Sequence, residues 1–184
     1  MALFVAPSSD PATDFAGLYA TFHDGLRRTL TCLGVPPAAV DDALQEVFVV
    51  VHRRLDDPAR VRSLRGWMYG IARRVAWRHH RTASRHAHKL ALVEPPVEPV
   101  SLDDLLDRRE AIAFMQGFLS TLDDDQREVF VLAEIEGLSA PEIATVVEAK
   151  LNTVYSRLRL ARARFELAVQ RQQLRTHREA NHGT

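Results

Sequence analysis

Apolar residues recur along most of this chain at spacings of three and four, the mark of helices buried on one side. Phe15, Leu18, Tyr19, Phe22, Leu26 and Leu30 make one such face, and the spacing predicts a helix over about residues 15–33. Gly34 ends it, and Pro36-Pro37 forbid its immediate continuation. A second helix begins near Asp41-Asp42, acidic residues suited to the positive end of a helix dipole. It turns Ala43, Leu44, Val47, Val50 and Val51 inward. Gln45, Glu46 and Phe48 lie partly off that face, and for Phe48 the pattern leaves core and surface equally open. After a loop at Asp56-Asp57-Pro58, the run SLRGWMYGIARRVAWRHHR predicts a long helix with Leu64, Trp67, Met68, Ile71 and Val75 as its stripe. Gly66 and Gly70 each weaken that helix by roughly 1 kcal/mol relative to alanine, and their spacing suits close helix packing.

The pattern breaks at LVEPPVEPVS, ending at Ser101, where three prolines favour an extended, semi-rigid strap. Helical spacing resumes over residues 102–119, and again in LDDDQREVFVLAEIEGLS, whose inward set is Val129, Phe130, Leu132, Ala133 and Ile135. Gly137 stops that helix. Ser139 and Glu142 then form the S-x-x-E capping signal, with Pro141 in the first turn, where a missing N–H costs nothing. Ile143, Ala144 and Val147 are the apolar face of this short helix. Past Glu148-Ala149-Lys150 another helix starts, capped by Asn152 or Thr153, with Val154, Leu158, Ala161 and Phe165 as its buried stripe. Two short helices joined tightly, the second carrying Tyr155, Ser156, Arg157, Arg159 and Arg162 outside its stripe, read as a helix-turn-helix shaped for the DNA major groove.

The predicted architecture is all-α: two small helical domains joined by a proline-containing linker, the second bearing the helix-turn-helix. Its expected divisions are a flexible tail over 1–14, a first domain over 15–88, a linker over 89–107, a second domain over 108–169 and a flexible tail over 170–184.

Composition narrows the class. With 46% hydrophobic and 26% charged residues the chain is globular. It has no apolar run long enough for a membrane span, and its start lacks the basic and apolar segments of a secretory signal. A lone Cys32 cannot pair internally, so a reducing cytoplasm is expected. The net charge of zero hides a sorted distribution. Residues 53–89 hold eleven Lys and Arg against Asp56 and Asp57; residues 94–128 hold ten acidic against three basic; residues 150–178 hold eight basic against Glu166 alone. Local fields govern attraction to phosphate, so two separate DNA-contacting surfaces are expected.

The first basic block carries its own chemistry. Arg73, Arg74, Trp77, Arg78 and Arg81 lie opposite the apolar stripe, and rings interleaved with guanidiniums suit unstacked bases and their phosphates. A core tryptophan beside a solvated basic face is an equal reading of that helix alone. His79, His80, His86 and His88 raise a metal site, but no cysteine or carboxylate lies near in sequence and the arginines among them would repel a cation. No nucleophile–base pair, glycine-rich phosphate loop or metal cluster is legible, so neither enzymatic activity nor a cofactor is expected.

Three segments, DDALQEVFVVVHRRL, RGWMYGIARRVAWRHHR and LDDDQREVFVLAEIEGLSAPEIA followed by NTVYSRLRLARARF, resemble bacterial RNA polymerase sigma factors of the extracytoplasmic-function kind. The likeness covers roughly residues 15–168. It implies that Asp42, Gln45, Glu46 and Phe48 face core RNA polymerase. It also implies that Arg62, Arg65, Trp67, Arg73, Arg74, Trp77, Arg78 and Arg81 act on the promoter −10 element, the loop from Arg60 to Arg65 capturing a flipped base. By the same likeness Asn152, Thr153, Tyr155, Ser156, Arg157, Arg159 and Arg162 contact the −35 element. An anti-sigma partner follows from it too, and membrane insertion does not. The chain departs from the family where Glu148 stands at a turn position often held by glycine, and Tyr155 where a basic residue is usual. Arg74 and Arg78 replace a frequent asparagine and aspartate. A reshaped turn and an altered promoter preference are the expectations these raise.

Two other functions fit parts of the pattern. A free-standing helix-turn-helix regulator would use the first half as a sensor or dimerisation domain, leaving its basic aromatic helix unexplained. A metal-dependent nuclease would rest on the histidines from His79 to His88.

Overall fold

The computed structural model describes residues 14–57, 63–83 and 102–182. These residues are helical throughout apart from short turns, with no strand among them. The chain divides into two compact units, residues 1–88 and 89–184.

In the first unit α1 (Phe15–Cys32), a 3-10 turn (Pro37–Ala39), α2 (Val40–Arg53) and α3 (Leu64–Ala83) pack against one another. Asp14 caps α1, its Oδ1 accepting from the Gly17 N–H at 2.7 Å. At the other end Gly34 takes φ 88°, the left-handed backbone that glycine reaches without steric cost. The chain then folds back, and the Val35 N–H donates to the Leu30 carbonyl at 3.0 Å. Leu18, Leu26 and Leu30 of α1 meet Val40, Val47 and Val51 of α2 and Met68 and Val75 of α3, all essentially without solvent exposure. Each such side chain contributes about 1.5–3 kcal/mol of burial.

The buried arc of α3 is wider than the sequence stripe predicts. Tyr69, Ala72 and Ala76 are buried beside Met68, Ile71 and Val75, whereas Leu64 and Trp67 are half-buried. The reason is that α3 packs on both α1 and α2, so two neighbours cover it instead of one. Gly70 is buried, yet a methyl group added there would meet nothing within 4 Å. The close helix approach expected of this glycine is therefore absent at Gly70.

The second unit contains α4 (Leu102–Ser120), α5 (Asp124–Phe130) widening into a π turn (Val131–Ile135), α6 (Ala140–Val146) and α7 (Leu151–His182). Phe118, Phe130 and Phe165 form a ring cluster with centroids 5.0–5.5 Å apart, tying α4, α5 and α7 together. Val129, Leu132, Ile143, Val154 and Ala161 complete the core. Arg127 closes the α4–α5 turn: Nε donates to the Leu119 carbonyl at 2.9 Å and Nη2 to the Leu122 carbonyl at 3.0 Å. One guanidinium thus ties the last turn of α4 to the loop that follows it.

Two boundaries differ from the sequence reading. Helix α4 begins at Leu102, inside the span assigned to the linker, and α7 runs to His182 through the span assigned to a loose tail. The run QRQQLRTHREA has no glycine or proline and is rich in Gln and Arg, whose unbranched stems lose little freedom in a helix. Polarity specifies solvent exposure, not looseness. The expected tail before Asp14 and the rest of the linker lie outside the described residues.

Candidate nucleic-acid and polymerase interfaces

The capping signal that opens α6 takes its expected form: the Glu142 carboxylate accepts from the Ser139 backbone N–H at 2.9 Å and from its hydroxyl at 2.7 Å. In the turn that follows, Glu148 takes φ 56°, so a non-glycine residue bears the left-handed conformation. The cap of α7 differs from expectation. The Lys150 carbonyl accepts from the Thr153 and Val154 N–H groups, which puts Lys150 at the cap and Asn152 and Thr153 inside the first turn.

Along α7, Asn152, Tyr155, Ser156, Arg159 and Arg162 are exposed, and Thr153 and Arg157 are half-buried. Tyr155 is 53% exposed, an aromatic ring set in solvent beside the helix's buried stripe. Ser156 spends its hydroxyl proton on the Asn152 carbonyl at 2.9 Å. Arg157 forms an ion pair with Asp125, and Arg162 pairs with Glu134 through Nε at 2.8 Å. Arg159 has no carboxylate partner among the described residues.

On α3, Arg65, Arg74, Trp77 and Arg78 are exposed, and Trp67 and Arg73 are half-buried. Arg74, Trp77 and Arg78 share one side by helical spacing, and Trp77 is 47% exposed, which decides against the core-tryptophan reading. Arg81 falls in the same helix but its side chain, like all of Arg62, lies outside the described residues.

On α2, Asp42 and Gln45 are exposed and Glu46 is half-buried. Glu46 is engaged: its Oε1 lies 2.6 Å from Arg78 Nη1, and its Oε2 lies 3.3 Å from His79 Nε2. Phe48 corrects the expectation of a polymerase-facing ring standing off the core, because only 5% of it is exposed. It follows Leu44 by four residues and precedes Val51 by three, and an aromatic shelf from α1 covers it. Its ring centroid lies 4.6 Å from that of Tyr19 and 6.1 Å from that of Phe15. Above it opens a groove of about 580 Å³ edged by Tyr19, His23, Gln45, Val49 and His52. Sequence periodicity missed this groove by counting Tyr19 into the core; Tyr19 and Val49 are in fact exposed. A second groove of about 580 Å³, lined by Phe114, Leu167, Arg171 and Arg175, has no signal in the sequence pattern, because Arg171 and Arg175 lie in the polar run past residue 169.

Among the described residues no group of three or more His, Cys, Asp or Glu side chains is placed to hold a metal. His79 binds Glu46 instead, and the side chains of His80, His86 and His88 lie outside the described residues. No described helix is long and apolar enough to cross a membrane.

Comparison with known proteins places these two units. Residues 18–86 match the family model of sigma-70 region 2, and residues 115–165 match that of sigma-70 region 4. The RNA polymerase sigma factor CnrH of Cupriavidus metallidurans is 31% identical, covering 82% of this chain and 84% of its own. The chain belongs to the extracytoplasmic-function group of sigma-70 factors. Sigma factor SigK of Mycolicibacterium vanbaalenii is 32% identical over 78% of each chain, and FecI of Escherichia coli is 28% identical over 76% of this chain and 82% of its own. Among solved structures, CnrH in complex with the cytosolic domain of CnrY superposes with a TM-score of 0.66 at 26% identity, covering 87% of this chain and 92% of that one. A sigma factor RpoE bound to the anti-sigma factor NepR from Bartonella quintana shares the fold, at a TM-score of 0.71 and 21% identity over 86% and 98% of the two chains. In this sigma factor the region 4 match ends at Phe165, so residues 166–182 of α7 extend beyond it.

Proposed function

We propose that this sigma factor binds core RNA polymerase, directs it to promoters carrying particular −10 and −35 elements, and starts transcription of a specific set of genes without bond chemistry of its own. The observation that carries the reading is that one chain presents two units of the sigma-70 kind, each with an exposed face mixing aromatic and basic residues. The face of Arg74, Trp77 and Arg78, with Arg62, Arg65, Trp67, Arg73 and Arg81, is assigned to the melted −10 strand. Opening DNA requires a surface that holds unstacked bases better than paired ones, offsetting a few kcal/mol for each extruded base. The solvent-set Trp77 ring beside guanidiniums supplies such a preference. The face of Asn152, Tyr155, Ser156 and Arg159 is assigned to the −35 duplex, flanked by Thr153, Arg157 and Arg162. Asp42, Gln45 and Glu46 are assigned to polymerase, with Phe48 shaping that surface from beneath.

Work in the cytoplasm, without metal or cofactor, belongs to the same proposal. So does an anti-sigma partner: the CnrH and RpoE structures are complexes with CnrY and with NepR. The experiment is reconstituted transcription with sigma-free core polymerase and mapped start sites. Defined transcripts are expected. Binding to duplex DNA alone, with no transcripts and no association with core, would favour the free-standing regulator.

A further inference from the structure

Two arginines of α7 are already held by carboxylates of α5 and its π continuation. Arg162 aims Nε and Nη2 at a single oxygen of Glu134, at 2.8 and 2.7 Å, and Arg157 bonds Asp125 through Nη2. Asp125 lies in the first turn of α5 and Glu134 in its π continuation, so the pairs form two separate rungs between α5 and α7. Arg159 stands between them, exposed and without a carboxylate partner among the described residues. Apart from the rungs, α7 is seated by Val154, Leu158 and Ala161, which are buried beneath it.

On the reading of α7 as the promoter-contacting helix, we propose that Asp125 and Glu134 are specificity-determining positioning residues. By holding Arg157 and Arg162 against α5, they withhold two cations from DNA phosphate. Asn152, Tyr155 and Arg159 are left to decide which duplex is bound. Attraction to phosphate is blind to sequence, and its strength and salt dependence grow with the number of cations that displace counterions. Sequence is read at base edges instead. A guanidinium neutralised within the protein must break its own pair before it can serve a phosphate. Because the pairs are solvent-accessible, each restrains its arginine by a factor of a few. That is enough to lower adhesion to arbitrary DNA while a correct site still binds.

The test uses the full-length chain carrying Asp125→Asn, Glu134→Gln or both, on a mixed-sequence duplex of about 25 base pairs. Affinity is measured across a salt series. The plot of log affinity against log salt is expected to steepen by about one for each arginine released, with binding at low salt rising roughly two- to fivefold per pair. Arg157→Ala added to Asp125→Asn should cancel the gain at that rung. Thermal midpoints report any purely structural role, which leaves the slope where it was. An unchanged slope in the double variant overturns the proposal, and so does weaker binding. Failure of the wild-type chain to start transcripts with core polymerase would instead sink the promoter reading, a result the slope does not share.

Discussion

Arg78 Nη1 lies 2.6 Å from Glu46 Oε1, so a residue assigned to the −10 strand is bonded to one assigned to polymerase. The two assignments cannot be dissected by changing Arg78, since its loss also releases Glu46. Trp77, the neighbouring exposed ring, makes the cleaner probe. Trp77→Ala is expected to weaken promoter opening by roughly 1–3 kcal/mol, the worth of one stacked base. Opening is read from 2-aminopurine fluorescence in the −10 strand and polymerase affinity from anisotropy. Affinity for core should stay within about twofold, and equal loss of both would refute the separation of the surfaces.

Phe48 and Gln45 are three residues apart on α2, and their substitutions should fail in different ways. Phe48→Ala empties a buried ring site and should cost about 3–5 kcal/mol of stability, seen as a lower denaturation midpoint of the first unit. Gln45→Ala changes an exposed side chain. It should leave that midpoint nearly fixed while weakening binding to core. If Phe48→Ala melts like the wild type, the ring is not the floor of the α1–α2 groove.

At Glu148 the left-handed backbone costs a residue bearing a Cβ about 1 kcal/mol, a cost glycine avoids. Glu148→Gly should therefore stabilise the second unit, raising its melting temperature by about 4–8 °C for a unit of this size. Glu148→Ala is the control, because it removes the same carboxylate and keeps the strain. A gain for alanine equal to that for glycine would locate the effect in the side chain.

Gly70 offers a second route to greater stability. Its surroundings accept a methyl group without a contact under 4 Å, and glycine inside a helix is less favourable than alanine by roughly 0.5–1 kcal/mol. Gly70→Ala should raise the denaturation midpoint of the first unit with transcription unaltered. A lower midpoint would mean that α3 needs the gap.

How much of this was legible in the chain depended on how far apart the partners stood. Ser139 and Glu142, or Gly34 and the turn it permits, act within a few residues, and local chemistry names them before any fold is known. Helix faces were legible too, since spacing records which side meets the core. What escaped was the work of distant neighbours. Phe48 was ambiguous along α2 because Phe15 and Tyr19, from another helix, cover it. Arg157 and Arg162 read as open cations because their carboxylates lie 32 and 28 residues away. The extension of α7 was missed for another reason: solvated and unstructured segments share a polar composition, and only propensity tells them apart.

That extension has a mechanical consequence. An unbroken helix from Leu151 to His182 spans about 48 Å, with the residues assigned to DNA in its first turns and the arginines at 171 and 175 toward its far end. A stiff rod transmits torque. Whatever grips the far end of α7 will pivot the turns assigned to DNA, with little slack between them to absorb the pull.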